Sequence, residues 1–396
     1  MAWGGMLLDW LGLLVRWTHV VAGIAWIGAS FYFIALDAGL KPHPRLDGRV
    51  KGEAWQVHGG GFYQIQKYQV APDFLPADLT WFKWEAYATW IFGFILLVLI
   101  YYLHPNLYLI DRHVLDLKPV EAVSIGAGSL AAGWAIYDSL CRSRLGRDSR
   151  TLAITGFALL VLAIVGYTHV FSGRGAFIEV GALVGSIMVG NVFFIIIPNQ
   201  KIVVADLLAG RTPDPALGAQ AGQRSLHNNY LTLPVVFTMI GNHYAFTYGT
   251  RWNWLILTAV FVAGFLVRHW FNLRHADAAA PWWLWPAAGV PILVAALPAV
   301  LSAAPPGSNV PVTFAQVQAI IAQRCQACHS AQPRFPGIAA PPAGVMFDTP
   351  REIAAQAPLI QAMAVATHTM PLNNVTRITT AERATLGAWI AAGARR

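Results

Sequence analysis

Eight stretches of mostly apolar residues dominate this chain, at 11–36, 84–103, 119–140, 152–171, 176–197, 227–248, 252–272 and 283–301. A helix needs roughly 20 such residues to cross the ~30 Å hydrocarbon core of a bilayer. Within that core every backbone N–H and C=O must find a partner inside the protein. The pattern predicts an all-α fold, a polytopic membrane bundle of about eight transmembrane helices set in lipid. Only 12% of the residues are charged, against about 25% in ordinary soluble domains. The first stretch does not read as a cleaved signal, since its apolar run is too long, it contains Arg16 and no basic segment precedes it.

The net charge is +8, but no basic stripe with interleaved aromatics accompanies it, so nucleic acid is not an expected partner. The cations alternate between loops instead. Lys41, Arg45, Arg49, Lys51, Lys67 and Lys83 follow the first stretch; Arg142, Arg144, Arg147 and Arg150 follow the third; Lys201, Arg211 and Arg224 follow the fifth. The loops between them hold only Arg112 and Lys118, then Arg174, then Arg251. By the positive-inside rule the first set faces the cytoplasm, and both chain ends lie outside. The expected location is a bacterial inner membrane, with the carboxyl end in the periplasm.

Residues 1–303 form the expected membrane unit, and "SAAPPGSNVP" supplies a linker at 304–311. Short helical runs and Pro-rich loops then fill 312–396, the pattern of a small class I-like cytochrome c. Its signature is Cys325-Gln326-Ala327-Cys328-His329, the C-x-x-C-H of covalent haem attachment. Cys325 and Cys328 are the expected thioether positions and His329 the proximal iron ligand. Met370, in the Pro-bounded "ATHTMPLNN", is the best distal ligand; Met346 and Met363 are poorer, Met363 because it falls in a helix. The motif is not read as half a zinc site, because no second Cys pair accompanies it.

Ionisable residues inside a bilayer are costly and mark function by default. On the orientation above, His19, His169 and His243 fall in the outer half of the membrane, with Arg16 one helical turn from His19. Histidines at similar depth on different helices suit one non-covalent b-type haem, Arg16 countering a propionate; taken singly, each is better explained by a hydrogen bond to a backbone carbonyl or a neighbouring helix. A second constellation gathers towards the cytoplasmic side: His58 beside three glycines, Lys83 and Glu85, Asn199 and Gln200, and Arg224, His227, Asn228 and Asn229. Amides, cations and imidazoles together suit a planar anionic heterocycle. Capping and interfacial anchoring are the structural alternative.

The stretches "VHGGGFY", "WFKWEAYATW", "GNVFFIIIPNQ", "LHNNYLTLPVVFTMIGNHY" and "CQACH" resemble the bacterial membrane-bound urate oxidases (urate hydroxylases) that carry a fused carboxyl-terminal cytochrome c. The resemblance covers the membrane unit and the tail. It implies oxidation of urate to 5-hydroxyisourate with water as the oxygen source, electrons passing to the c-type haem and on to a respiratory acceptor such as a cytochrome c or a terminal oxidase. It assigns no catalytic residues. Glu179 in "FIEVGALVGSIM" stands where the resemblance leads us to expect His, so that position supplies no haem ligand here. "RWTHVVAGIAWIG" is also distantly similar to membrane proteins whose first-helix His binds haem. The alternative in a different class is a quinol-oxidising respiratory cytochrome without urate chemistry.

Overall fold

The computed structural model describes residues 2–70, 72, 75–302 and 312–396, so the linker expected at 304–311 lies outside the described residues. Eight helices form the bundle: α1 (Ala2–Ala38), α2 (Trp84–Tyr102), α3 (Pro119–Arg142), α4 (Ser149–Val170), α5 (Gly173–Leu208), α6 (Pro215–Gly241), α7 (Asn253–His275) and α8 (Leu284–Ser302). Among the described residues, six of these are long and apolar enough to cross a membrane: α2, α3, α4, α5, α7 and the Trp10–Ala38 part of α1. The stretch expected at 227–248 belongs to α6, which starts earlier and ends at Gly241. It is more polar than its neighbours because it carries Arg224, His227, Asn228 and Asn229. Helix α8 contributes a shorter apolar run, Leu284–Leu297.

The bundle has an apolar core with a set of polar residues buried in it, and an apolar outer surface. Ile154, Leu162 and Leu293 point outward and are exposed, whereas Glu179, Asn191, Arg224, Asn229 and Arg268 are buried. That arrangement suits a lipid solvent, which rewards outward apolar groups and leaves polar ones to pair with each other. Glu179 accepts a 3.4 Å hydrogen bond from the Tyr102 hydroxyl on α2, and its other oxygen is buried without a partner. Pro198 has no N–H for the carbonyl one turn back, and just before it α5 widens into a π-helical turn, Asn191–Ile196. Such widened turns recur at functional sites.

One element departs from the all-helical expectation. Strands β1 (Val50–His58) and β2 (Gly61–Tyr68) pair antiparallel with His58 opposite Gly61. Gly59 and Gly60 both have positive φ, 58° and 81°, as a two-residue hairpin turn matched to strand twist requires. The hairpin sits at the α1/α7 end of the bundle, where Lys67 pairs with Asp37 and Lys41 with Asp277.

The tail has a core of its own. Helices α9 (Phe314–Arg324) and α10 (Thr380–Ala391) pack Val317, Ile321, Leu386 and Trp389 with Phe347, Ile353 and Ile360. It docks on the opposite end of the bundle from the hairpin, against the α2–α3 and α6–α7 connections. Asn373 Nδ2 donates to the Leu107 carbonyl at 2.9 Å, and Asn374 Nδ2 lies 2.9 Å from His113 Nε2. Gly249 abuts Thr367 and Thr369.

Candidate redox and substrate sites

The haem-attachment motif begins at the C-cap of α9. A capping box between Thr313 and Gln316 opens that helix, and it closes as the Cys328 and His329 amides both donate to the Cys325 carbonyl, at 3.2 and 3.0 Å. The turn puts His329 beside Phe347, ring centroids 5.4 Å apart. His329 Nδ1 donates to the Val345 carbonyl at 3.0 Å, so the lone pair is on Nε2. Metal-ligating histidines are held by a hydrogen bond of this kind on the other ring nitrogen. Burial pushes the Cys325 thiol up to about 12 and raises Cys328 too. Met370 packs on the same core as Cys325. These residues fit a covalently held haem.

No sequence signal singles out Arg383, which is buried in α10. It donates to the Met370 carbonyl at 2.7 Å and to the Ala364 carbonyl. A guanidinium on two carbonyls pins the loop that presents Met370. Its neighbour Glu382 pairs with Arg324 of α9 at 3.0 Å, clasping the two helices.

A cavity of about 360 Å³ opens between α1, α2, α5 and α6. Its polar lining includes Arg16, His19, Arg174, Asn242 and His243. His19 Nδ1 donates to the Thr89 carbonyl at 2.8 Å, the same arrangement as at His329. Gly93 makes room for the imidazole, because a Cβ there would lie 2.7 Å from its Cε1. Arg174 stacks over Tyr108 at 5.1 Å and Tyr101 at 5.9 Å; its Nε and Asn242 Oδ1 are buried without a partner. The structure therefore brings His19 and His243 to one cavity. It does not bring His169, which is exposed on α4 and bonds the Val165 carbonyl of its own helix at 2.8 Å.

At the hairpin end of the bundle the polar residues separate into several groups. Arg224 donates to Asp138 at 2.6 Å and to Asn191 Oδ1 at 3.1 Å. Asn191 donates to Asn228 Oδ1 at 2.9 Å, and Asn228 donates to the Met188 carbonyl at 2.9 Å. His227 Nδ1 meets the Tyr137 hydroxyl at 2.7 Å. So Arg224, His227 and Asn228 belong to one network, joined by Tyr137 and Asp138 of α3. Asn229 turns the other way, accepting from Arg268 at 3.0 Å and Asn272 at 3.2 Å. Lys83 lies over Trp84 at 5.5 Å, and Glu85 has a buried oxygen without a partner. Asn199 donates to Gln220 at 3.2 Å, while Gln200 is exposed. His58 is exposed at the hairpin tip, in a shallow hollow with Tyr32 and Gln56. Its glycine neighbours make the turn. A carboxylate in an apolar stretch is itself a signal, and Asp138 in "WAIYDSLCR" was readable on that ground.

Fold and site define a helical bundle suited to a membrane, with polar residues buried in an apolar core and a docked tail carrying the C-x-x-C-H motif. The urate oxidase N-terminal family matches residues 5–299, and the chain belongs to that family. No curated protein matches the chain, and neither does any solved structure.

Proposed function

We propose that this chain is a cytochrome c-linked urate oxidase of a bacterial inner membrane, oxidising urate to 5-hydroxyisourate. Urate and water give 5-hydroxyisourate, two electrons and two protons, so no oxygen activation is needed. The observation that carries the reading is the docking of the tail's Met370 loop, through Asn373 and Asn374, onto a bundle of the urate oxidase N-terminal family.

On the positive-inside rule, this reading has the hairpin end facing the cytoplasm and the tail the periplasm. Urate is an anion and must shed a further proton before it yields electrons readily. Glu85, with its unpartnered buried oxygen, and His227, whose Nδ1 is taken by Tyr137 and whose Nε2 is left over, are the proposed bases. Arg224 supplies a positive charge beside the amides of Asn191 and Asn228, and Lys83 a second cation before α2, whereas Asn199, Gln200 and Asn229 lie outside that network. Because Arg224 is already held by Asp138 and Asn191, it acts at short range as a fixed charge rather than a mobile clamp. His58 at the hairpin tip belongs to the entrance. In the tail, Cys325 and Cys328 hold the haem, His329 and Met370 ligate its iron, and Arg383 fixes the Met370 loop. That group, when bound, supplies one-electron acceptance and delivery to a respiratory acceptor.

The test mixes purified, oxidised full-length protein with urate in the absence of oxygen. The reduced c-haem α-band is expected to appear, with two haems reduced per urate consumed. A protein that stays ferric with urate but is reduced by quinol belongs to the respiratory alternative.

A further inference from the structure

The two ends of the proposed reaction lie a membrane thickness apart, roughly 30 Å, which is too far for direct electron transfer during turnover. The cavity between α1, α2, α5 and α6 fills that interval. Met188 in its lining has its carbonyl bonded to Asn228 of the polar network at one end. At the other end, Arg174 in its lining stacks on Tyr108, next to Leu107, whose carbonyl bonds Asn373 of the tail.

From this geometry we infer that the cavity binds a second, non-covalent haem, with His19 Nε2 as an axial ligand and Arg16 and Arg174 as partners for its propionates. Four observations converge. The volume, about 360 Å³, lies within the ~300–1,000 Å³ of cofactor sites, which are mostly apolar with a few placed polar groups; Trp26, Phe94 and Ile178 are among the apolar walls here. The Thr89 carbonyl fixes the His19 tautomer that leaves Nε2 free. Gly93 lets the imidazole sit flush against α2. Arg174 Nε and Asn242 Oδ1 are buried polar atoms without partners, and such atoms call for a ligand or water that satisfies them. Carboxylates are the natural partners of paired guanidiniums, and Arg16 lies three residues before His19, on the same helix face. Urate is too polar for walls of this kind, and a quinone would leave both arginines uncompensated.

The role as an electron relay rests on the urate reading; the binding of haem does not. The test is a pyridine haemochrome count on purified full-length protein. One b-type haem is expected for each c-type haem. In His19→Ala the b-type signal is expected to fall to background with the c-type signal kept, and His169→Ala is expected to change neither. A wild-type preparation with c-type haem only, or full b-type haem in His19→Ala, overturns the proposal. If His19→Ala does not accumulate, Arg174→Gln keeps the axial ligand and tests the placement: its b-type haem should wash out in detergent several-fold faster, and an unchanged rate overturns the site. Urate-driven reduction in a protein lacking b-type haem removes this site alone. One b-type haem without urate-driven reduction removes the urate reading alone.

Discussion

The tail and the bundle build their sites in opposite ways. In the tail, the attachment motif occupies five consecutive residues, starts at the C-cap of α9 and is held by the nearby Val345 and Phe347. In the bundle, the Arg224 network draws on α3, α5 and α6, and its members Asp138 and Arg224 are 86 residues apart. A local motif survives in isolation as a sequence signal. A dispersed one exists only once the helices have packed, because each member's partner is chosen by the fold.

That contrast can be broken most decisively at the tail. Replacing both Cys325 and Cys328 with Ser is expected to abolish covalent haem and all urate-driven cytochrome reduction, read by in-gel haem staining and absorbance. The bundle's own thermal transition should stay in place, since its core is separate; a matching collapse of the bundle would show that the two regions fold as one. Next in size, Arg224→Ala removes the buried charged hydrogen bonds to Asp138 and Asn191, worth about 1.5–3 kcal/mol each, while Asp138 keeps Arg142. Unfolding in detergent should show that loss, with Arg224→Lys recovering part of it.

A smaller effect belongs to Arg383→Ala, which removes charged hydrogen bonds worth about 1.5–3 kcal/mol each. The expected readout is a lowered haem potential as Met370 ligation weakens, with covalent haem content unchanged. Smallest is Asn373→Gly at the docking surface, which suits the positive φ there and removes the hydrogen bond to the Leu107 carbonyl, about 0.5–1.5 kcal/mol. It should slow c-haem reduction by urate in stopped flow while leaving dithionite reduction as it was.

Where the sequence was legible, a physical constraint acted locally. Lipid imposes a minimum apolar length, so the long helices could be read; loop cations gave an orientation with which the alternating ends of the bundle and the docked tail are consistent. The polar α6 is the instructive case. Its apolar half beyond His227 was visible, but the turns from Pro215 that carry Gln220 and Arg224 read as loop until their partners on α3 and α5 were known. The hairpin was missed for another reason. "AWQVHGGGFYQIQ" alternates about a glycine run, a strand–turn–strand pattern, but the sequence reading groups its glycines with the polar constellation around His58. His19 and His243 converge on one cavity and His169 does not, and only helix rotation decides this, which hydropathy does not report.

The docked tail has a kinetic consequence. On the proposed function, an acceptor in the same polypeptide, seated by Asn373 and Asn374, would face its donor at an effective concentration of order millimolar. Diluting the protein would then leave the internal step first order and unchanged, each molecule discharging through its own tail before any collision with a neighbour matters.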